Sequence, residues 1–315
     1  MAVAREEVIW AYRMLLGREP ESEDAIARHM TVPNRETLRR SFLVSAEFSG
    51  NYPVLRVGRH SDVQHIDVET DSSPADLARM TENIAREWRN FGETEPHWSV
   101  ITGEEFRPER IDDNLEPFYA LGRTDIAIIV NALKRAGVWR ERAAKALDFG
   151  CGVGRLSLAL APLVAHVTGV DISPAHLAHA ERRAKDTGAG NVAFQAIETV
   201  NDLDLLPTYD LIISLIVLQH NPPPVMVELL RKLLGRLAAG GSAVIQLPTY
   251  IVGQRFTVQD YLSTRQPAME MNAVPQRVVY EVVEQAGCSL LEVREDGYMG
   301  TDIGLSHTFV LQKRA

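Results

Sequence analysis

Cysteine is nearly missing from this chain: Cys151 and Cys288 are its two thiols among 315 residues. Neither stands in a metal or redox motif, and no His–carboxylate cluster has ligand spacing, so no metal is expected. Free thiols in a reducing cytoplasm are the expectation. Long apolar runs are missing too, and none approaches the ~20 residues a bilayer span requires. The opening Met1-Ala2-Val3-Ala4-Arg5-Glu6-Glu7 has neither the basic start nor the apolar middle of a secretory leader. Positive charge is in deficit, with 33 Lys and Arg against 42 Asp and Glu and a net charge of −9. No global basic field exists to hold a nucleic-acid backbone, so no nucleic-acid partner is expected. What is present is ample apolar content, 45% of residues, in a length that suits one large domain or two.

Four regions follow from the patterning. Residues 1–55 read as a helical module, in which Val8, Tyr12, Leu15 and Leu16 recur at helical spacing before Gly17 and Pro20. Ser22 and Asn34 are placed to cap two further helices, the second with Leu38 and Phe42 on one face. Residues 56–75 are polar and lack a clean period, as a linker would. Residues 76–140 read as a helical cap region. Its first helix starts at Ser73-Pro74, buries Leu77, Met80, Ile84 and Trp88, and ends at Gly92. An aromatic loop, Glu95 to Thr102, follows. A second helix over 124–135 turns Ile126, Ile129, Val130 and Leu133 inward and stops at Gly137.

From residue 141 to 315 the period changes to strand–helix alternation. Strands are expected at 145–149, 166–171, 191–197, 209–215, 242–248, 289–295 and 304–312. Such alternation implies an α/β doubly wound, mostly parallel seven-stranded sheet covered on both faces. The last two strands leave no room for a helix between them, so an antiparallel C-terminal hairpin is expected.

The densest signal is Leu147-Asp148-Phe149-Gly150-Cys151-Gly152-Val153-Gly154-Arg155. It reads as strand, glycine turn and helix, a place where backbone approaches a ligand closely. A dinucleotide turn is the competing reading. Its Gly-x-Gly-x-x-Gly pattern fails, because Arg155 or Ser157 stands where the third glycine belongs. Downstream, His166–Asp171 ends in an acid 21 residues past Gly150. Such an acid is placed to accept ribose hydroxyls.

At these motifs the chain resembles the class I methyltransferases, which bind S-adenosylmethionine (SAM). The order Tyr209-Asp210-Leu211-Ile212-Ile213-Ser214 and Leu237-Ala238-Ala239-Gly240-Gly241 strengthens the resemblance. It implies SAM as cofactor, with its methionine part against Gly150, Gly152, Gly154 and Arg155. Asp148 would face the ammonium and sulfonium end, Asp171 the ribose, and Ile172 the adenine. Glu198, Thr199 and Val200 are candidates for the adenine edge, although Ile197-Glu198 replaces the Gly-Asp usual in the family. Ser214 would line the cofactor, and Tyr119 and Arg123 would close over its carboxylate. Trp98 is an aromatic lid candidate or a core anchor.

His220, just past the fourth strand, is the candidate general base for a hydroxyl acceptor. Pro248-Thr249-Tyr250 and a polar insertion at 251–274 would shape specificity. Residues 11–20 with Ser45-Ala46-Glu47-Phe48 resemble a linker-like helical module of some bacterial glycan-modifying enzymes. That resemblance implies a role in attachment or partner contact, and O-methylation of a glycan or glycosylated intermediate. N- or O-methylation of another small metabolite stays open, as does a non-catalytic SAM-binding scaffold.

Overall fold

The computed structural model describes residues 3–43, 45, 47–48, 66–141, 144–264, 269–299 and 304–315. The chain divides into two compact units, Met1–Gln64 and His65–Ala315.

In the first unit, helix α1 (Arg5–Ala11) runs into a π-helical turn at Tyr12–Leu16, which Gly17 ends in the left-handed region. Helices α2 (Glu23–Met30) and α3 (Arg35–Leu43) complete it. The expected caps are both present. Ser22 Oγ accepts from the Ala25 amide and Asn34 Oδ1 from that of Thr37. Val8, Tyr12, Leu16, Ile26, Leu38 and Phe42 close a small core.

The second unit is built on a seven-stranded sheet. Its strands in chain order are β2 (Lys145–Phe149), β3 (His166–Asp171), β4 (Val192–Ala196), β5 (Tyr209–Ser214), β6 (Leu237–Ile251), β8 (Cys288–Asp296) and β9 (Gly304–Lys313). They lie in the order β4-β3-β2-β5-β6-β9-β8, parallel from β4 to β6, with β9 and β8 forming the antiparallel hairpin. The two short strands β1 (Asp67–Val68) and β7 (Arg255–Phe256) pair separately. Both fall where sequence suggested a linker and an insertion, and two residues are too few to show a period. Strand β6 begins earlier than expected. Its Gly-Gly step is absorbed as an irregularity, with pairing jumping from Tyr209–Leu237 to Leu211–Ser242.

The central strands are buried on both faces, which is why they read as continuous apolar runs. Ala146, Val167, Ile213 and Val244 face helices α5 (Ile111–Arg135) and α6 (Arg155–Leu160). Leu147, Ile212 and Ile245 face α8 (Pro223–Gly235) and α10 (Gln276–Gln285), with Met80 and Ile84 of α4 (Pro74–Thr94). Helix α7 (Pro174–Thr187) follows β3, and a short α9 (Val258–Ser263) follows β7. Among the described residues, no helix is long and apolar enough to cross a membrane.

Two cap helices depart from expectation. Helix α4 continues through Gly92 to Thr94. The glycine serves packing instead of termination: a Cβ there would stand 2.1 Å from Ser173 Oγ and 3.1 Å from His176 Nδ1. Helix α5 starts at Ile111, well before 124, and carries Pro117 inside it. Its Gly122 passes so close to α6 that a Cβ would meet the Arg155 carbonyl at 2.4 Å.

Gly92→Ala should therefore destabilise the unit by about 1–3 kcal/mol, the usual size of overpacking. Ser173 would have to turn away from its role capping α7. Denaturant unfolding measures this, and an unchanged midpoint would show that α4 and α7 separate freely.

Candidate active site

Ligands of open parallel sheets sit beyond the carboxyl ends of the strands, at the reversal of strand order. Here that reversal lies between β2 and β5. The turn after β2 places Gly150, Gly152 and Gly154 at φ values of 73°, 52° and 80°, the region that favours glycine. Space demands glycine at the first two as well. A Cβ on Gly150 would meet Val217 at 2.4 Å, and one on Gly152 would meet Val100 at 2.7 Å. The Gly150 and Cys151 amides both donate to the Val170 carbonyl. The Gly152 amide donates to Asp171 Oδ2 at 2.8 Å, while Asp171 Oδ1 accepts from the Ser173 amide at 2.9 Å.

These elements surround a partly enclosed cleft. Of the residues expected at a site, Asp148, Gly150, Gly152, Arg155, Asp171, Ile172, Thr199 and Val200 all line it. Asp148 is 1% exposed. Its Oδ2 accepts from Ser157 Oγ at 2.6 Å. Burial pushes its pKa up to about 6, against the opposing pull of that hydrogen bond and of Arg155. Arg155 is buried too and pairs through Nη1 with Asp125 Oδ2 at 2.5 Å, leaving its Nε without a hydrogen-bond partner.

The other expected residues lie outside the lining. Gly154 packs behind the turn, where a Cβ would touch Ala180 and Phe194. Ser214 Oγ donates to the Phe149 carbonyl and so ties β5 to β2. Glu198 is exposed. Its amide and that of Thr199 both donate to Asp202 Oδ2, which caps the following turn. Tyr119 is buried with its hydroxyl on the Val153 carbonyl. Arg123 is exposed on α5. Trp98 lies under the Arg107 guanidinium, 4.5 Å from its carbon to the ring centre.

His220 is 8% exposed and sits just behind the cleft wall, its ring centre 5.2 Å from that of Trp88. Its Nδ1 lies 3.0 Å from the Glu270 carbonyl oxygen, which only accepts, so we assign the proton to Nδ1. Nε2 then carries the lone pair. Burial lowers the pKa to about 4, and the Glu270 hydrogen bond offsets only part of that.

Several lining residues carried no signal in the sequence. Trp88 read as core, Ser99 and Val100 read as part of the aromatic loop, and His176 drew no reading. His176 Nε2 lies 2.9 Å from Ser99 Oγ and so joins the Glu95–Thr102 loop to α7. Thr81 and Ile84 of α4 and Val225 and Leu229 of α8 extend the cleft as an apolar lobe. Ile216, beside the turn, has a φ of 60°, uncommon for a β-branched residue, and its amide donates to buried Gln246 Oε1.

The sheet order, the glycine turn and the C-terminal hairpin define the seven-stranded α/β fold of methyltransferases. Residues 146–241 match a family described as a methyltransferase domain. The chain is similar to ubiquinone biosynthesis O-methyltransferases. The one from Pseudomonas savastanoi is 38% identical over 81 residues, 25% of this chain and 34% of that protein. The one from Vibrio parahaemolyticus is 29% identical over 141 residues, 45% of this chain and 54% of that protein. The chain thus spans between a third and about half the length of these relatives. In structure it is similar to magnesium protoporphyrin IX methyltransferase from Synechocystis, solved with bound SAH. That likeness has a TM-score of 0.52 at 20% identity and covers 72% of this chain and 98% of that one, which shows the fold.

A measurement follows from the His220 environment. Its imidazole should stay neutral until the pH falls toward about 4, followed by NMR of the ring resonances across a pH titration. A midpoint near 6.5, the ordinary value, would mean that the ring is solvated.

Proposed function

We propose that this protein is a SAM-dependent methyltransferase. The observation that carries this reading is the convergence of Asp148, the glycine turn and Asp171 on one cleft at the β2–β5 reversal. The cleft has the features such a cofactor needs: the Gly150 and Gly152 turn in its lining, a buried acid, and apolar walls. When bound, SAM would supply a methyl group on a sulfonium, already activated toward displacement. Asp148 would hold the ammonium, the Gly150–Gly152 backbone would admit the methionine part, and the free lone pairs of Asp171 would take ribose hydroxyls. Ile172 would pack on the adenine, with Thr199 and Val200 at its edge. Arg155 would offer its unpartnered Nε to the carboxylate. Ser214, Gly154 and Tyr119 would hold the frame from behind. Glu198 and Arg123, both exposed, would act only on a ligand reaching the rim.

The acceptor in this reading is a hydroxyl of a glycan or glycosylated intermediate, supported by the N-terminal motif. The ubiquinone-biosynthesis relatives, O-methyltransferases by name, support a second reading, transfer to another small metabolite. His220, neutral with its Nε2 lone pair 3.5 Å from the Gln219 amide nitrogen, would have to release that contact to act as a base, and the low pKa makes it a weak one. The 1–55 module would dock a partner. A cytoplasmic setting fits the two buried free thiols.

Calorimetry should show SAM and SAH binding and no NAD binding, and the reverse pattern would overturn the cofactor assignment. Asp171→Ala should weaken SAM by about 1–3 kcal/mol, since it removes a charge-assisted contact. Unfolding of the same variant reports separately on the backbone amides Asp171 also holds. An unchanged SAM affinity would remove Asp171 from the site.

SAM affinity should also depend on pH through Asp148. Its pKa lies near 6, so the carboxyl is neutral below that pH and anionic above it. A cationic ligand favours the anion, so affinity should rise by up to about tenfold per pH unit below pH 6 and level off above it. Asp148→Asn should abolish the rise. Flat affinity in wild type from acid to neutral pH would place the cation elsewhere.

A further inference from the structure

Asp171 sets the glycine turn, but the wall of the cleft formed by Leu215-Ile216-Val217 is held by a residue outside the lining. Gln246 stands within β6 and is 0% exposed, between the apolar Ile245 and Leu247. Packing alone gives no reason for an amide there, since burying one is unfavourable unless its polar atoms find partners. Its Oε1 accepts from the Ile216 amide at 2.7 Å. Its Nε2 donates to Gln219 Oε1 at 3.1 Å and to Ser306 Oγ at 2.6 Å. Gln219 and Ser306 are buried as well.

The backbone groups at the two ends fix the direction of this chain of bonds. The Ile216 amide only donates, which puts Oε1 of Gln246 on it and Nε2 on Gln219 Oε1. Gln219 Nε2 then faces His220 Nε2 at 3.5 Å. That ring nitrogen carries the lone pair, because Nδ1 holds the proton toward the Glu270 carbonyl. Both ends give the same assignment.

The Ile216 amide is the informative partner. Pairing of β5 with β6 ends at Ser214 and Ile245, so the ladder does not reach it. Ile216 then turns to a φ of 60°, which a β-branched residue keeps only where its surroundings enforce it. The bend brings Val217 over the glycine turn, where a Cβ on Gly150 would meet its side chain at 2.4 Å. The Val217 carbonyl accepts in turn from the His220 amide at 3.2 Å and from Asn221 Nδ2 at 2.9 Å. Leu215, Ile216, Val217 and Asn221 all line the cleft with Gly150.

We infer that Gln246 is a positioning residue for the cofactor, acting through Ile216. By accepting the Ile216 amide it holds the bend after β5, so the wall at Gly150 stands in its binding shape before a ligand arrives. Without that acceptor nothing enforces the left-handed turn, and ordering the wall on binding lowers affinity. The identity of the ligand rests on the methyltransferase reading.

Calorimetry with SAH on the full chain tests this with three variants. Gln246→Met keeps the side-chain length and removes the acceptor, so SAH affinity should fall at least about tenfold. Gln246→Glu keeps an oxygen for the Ile216 amide, and a carboxyl so deeply buried is neutral and still donates, so affinity should recover to within about threefold of wild type. Ser306→Ala removes a partner of Gln246 that does not line the cleft. It should lower the midpoint of denaturant unfolding and leave SAH affinity unchanged. A network that only stabilises the fold would lower the midpoints of Gln246→Met and Ser306→Ala and leave both affinities unchanged. That result would overturn the inference, as would Gln246→Glu binding as weakly as Gln246→Met. If Gln246→Met does not fold, amide exchange on the ligand-free wild type decides. The Ile216 amide should be protected there, and exchange at the unprotected rate would overturn the inference. Failure of the wild type to bind SAH would sink the cofactor reading and this inference with it. Wild-type binding with an unaffected Gln246→Met would sink this inference alone.

Discussion

One carboxylate joins the two turns on which the cleft depends. Asp171 ends β3, and its oxygens accept from the Gly152 amide and the Ser173 amide. The first bond fixes the glycine turn after β2, and the second fixes the start of α7. Gly152 and Asp171 both line the cleft, so the same group that shapes the turn also forms part of the cleft wall. Each Asp171 oxygen retains a lone pair after these bonds. Position and chemistry are thus set by a single side chain at 9% exposure.

A second constraint is close approach. Gly92, Gly122 and Gly150 each stand where a Cβ would come within 2.4 Å of a neighbour. They let α4 pack on the start of α7, α5 on the start of α6, and the loop after β5 on the glycine turn. In such surroundings Asp148 is half protonated near pH 6 and His220 neutral to about pH 4. A bound cation would favour the Asp148 anion.

The sheet was legible because its strands are two-faced apolar runs separated by strong turn signals, and the hairpin because 296–303 is too short for a helix. The Asp148–Arg155 and Asp171 motifs are local, so sequence located most of the residues around the turn. Helix lengths were less legible. Gly92 and Pro117 carry the usual marks of helix breaks, and tertiary packing overrode both. The residues drawn from other elements were hardest to see: Trp88, Ser99 and His176 look like core and cap residues, and only the fold brings them to the cleft. Glu198 and Arg123 were chosen by position along the chain, and their side chains turned out to be exposed. His220 was found, but its basicity was not, since burial and not residue type sets it.

The most direct test of the central claim is a crystal structure of the full chain grown with SAH. The account predicts SAH in the cleft, with its amino group at Asp148, its ribose hydroxyls on Asp171 and its chain along Gly150–Gly152. Ligand bound elsewhere, or bound in the cleft with neither acid in contact, would contradict it.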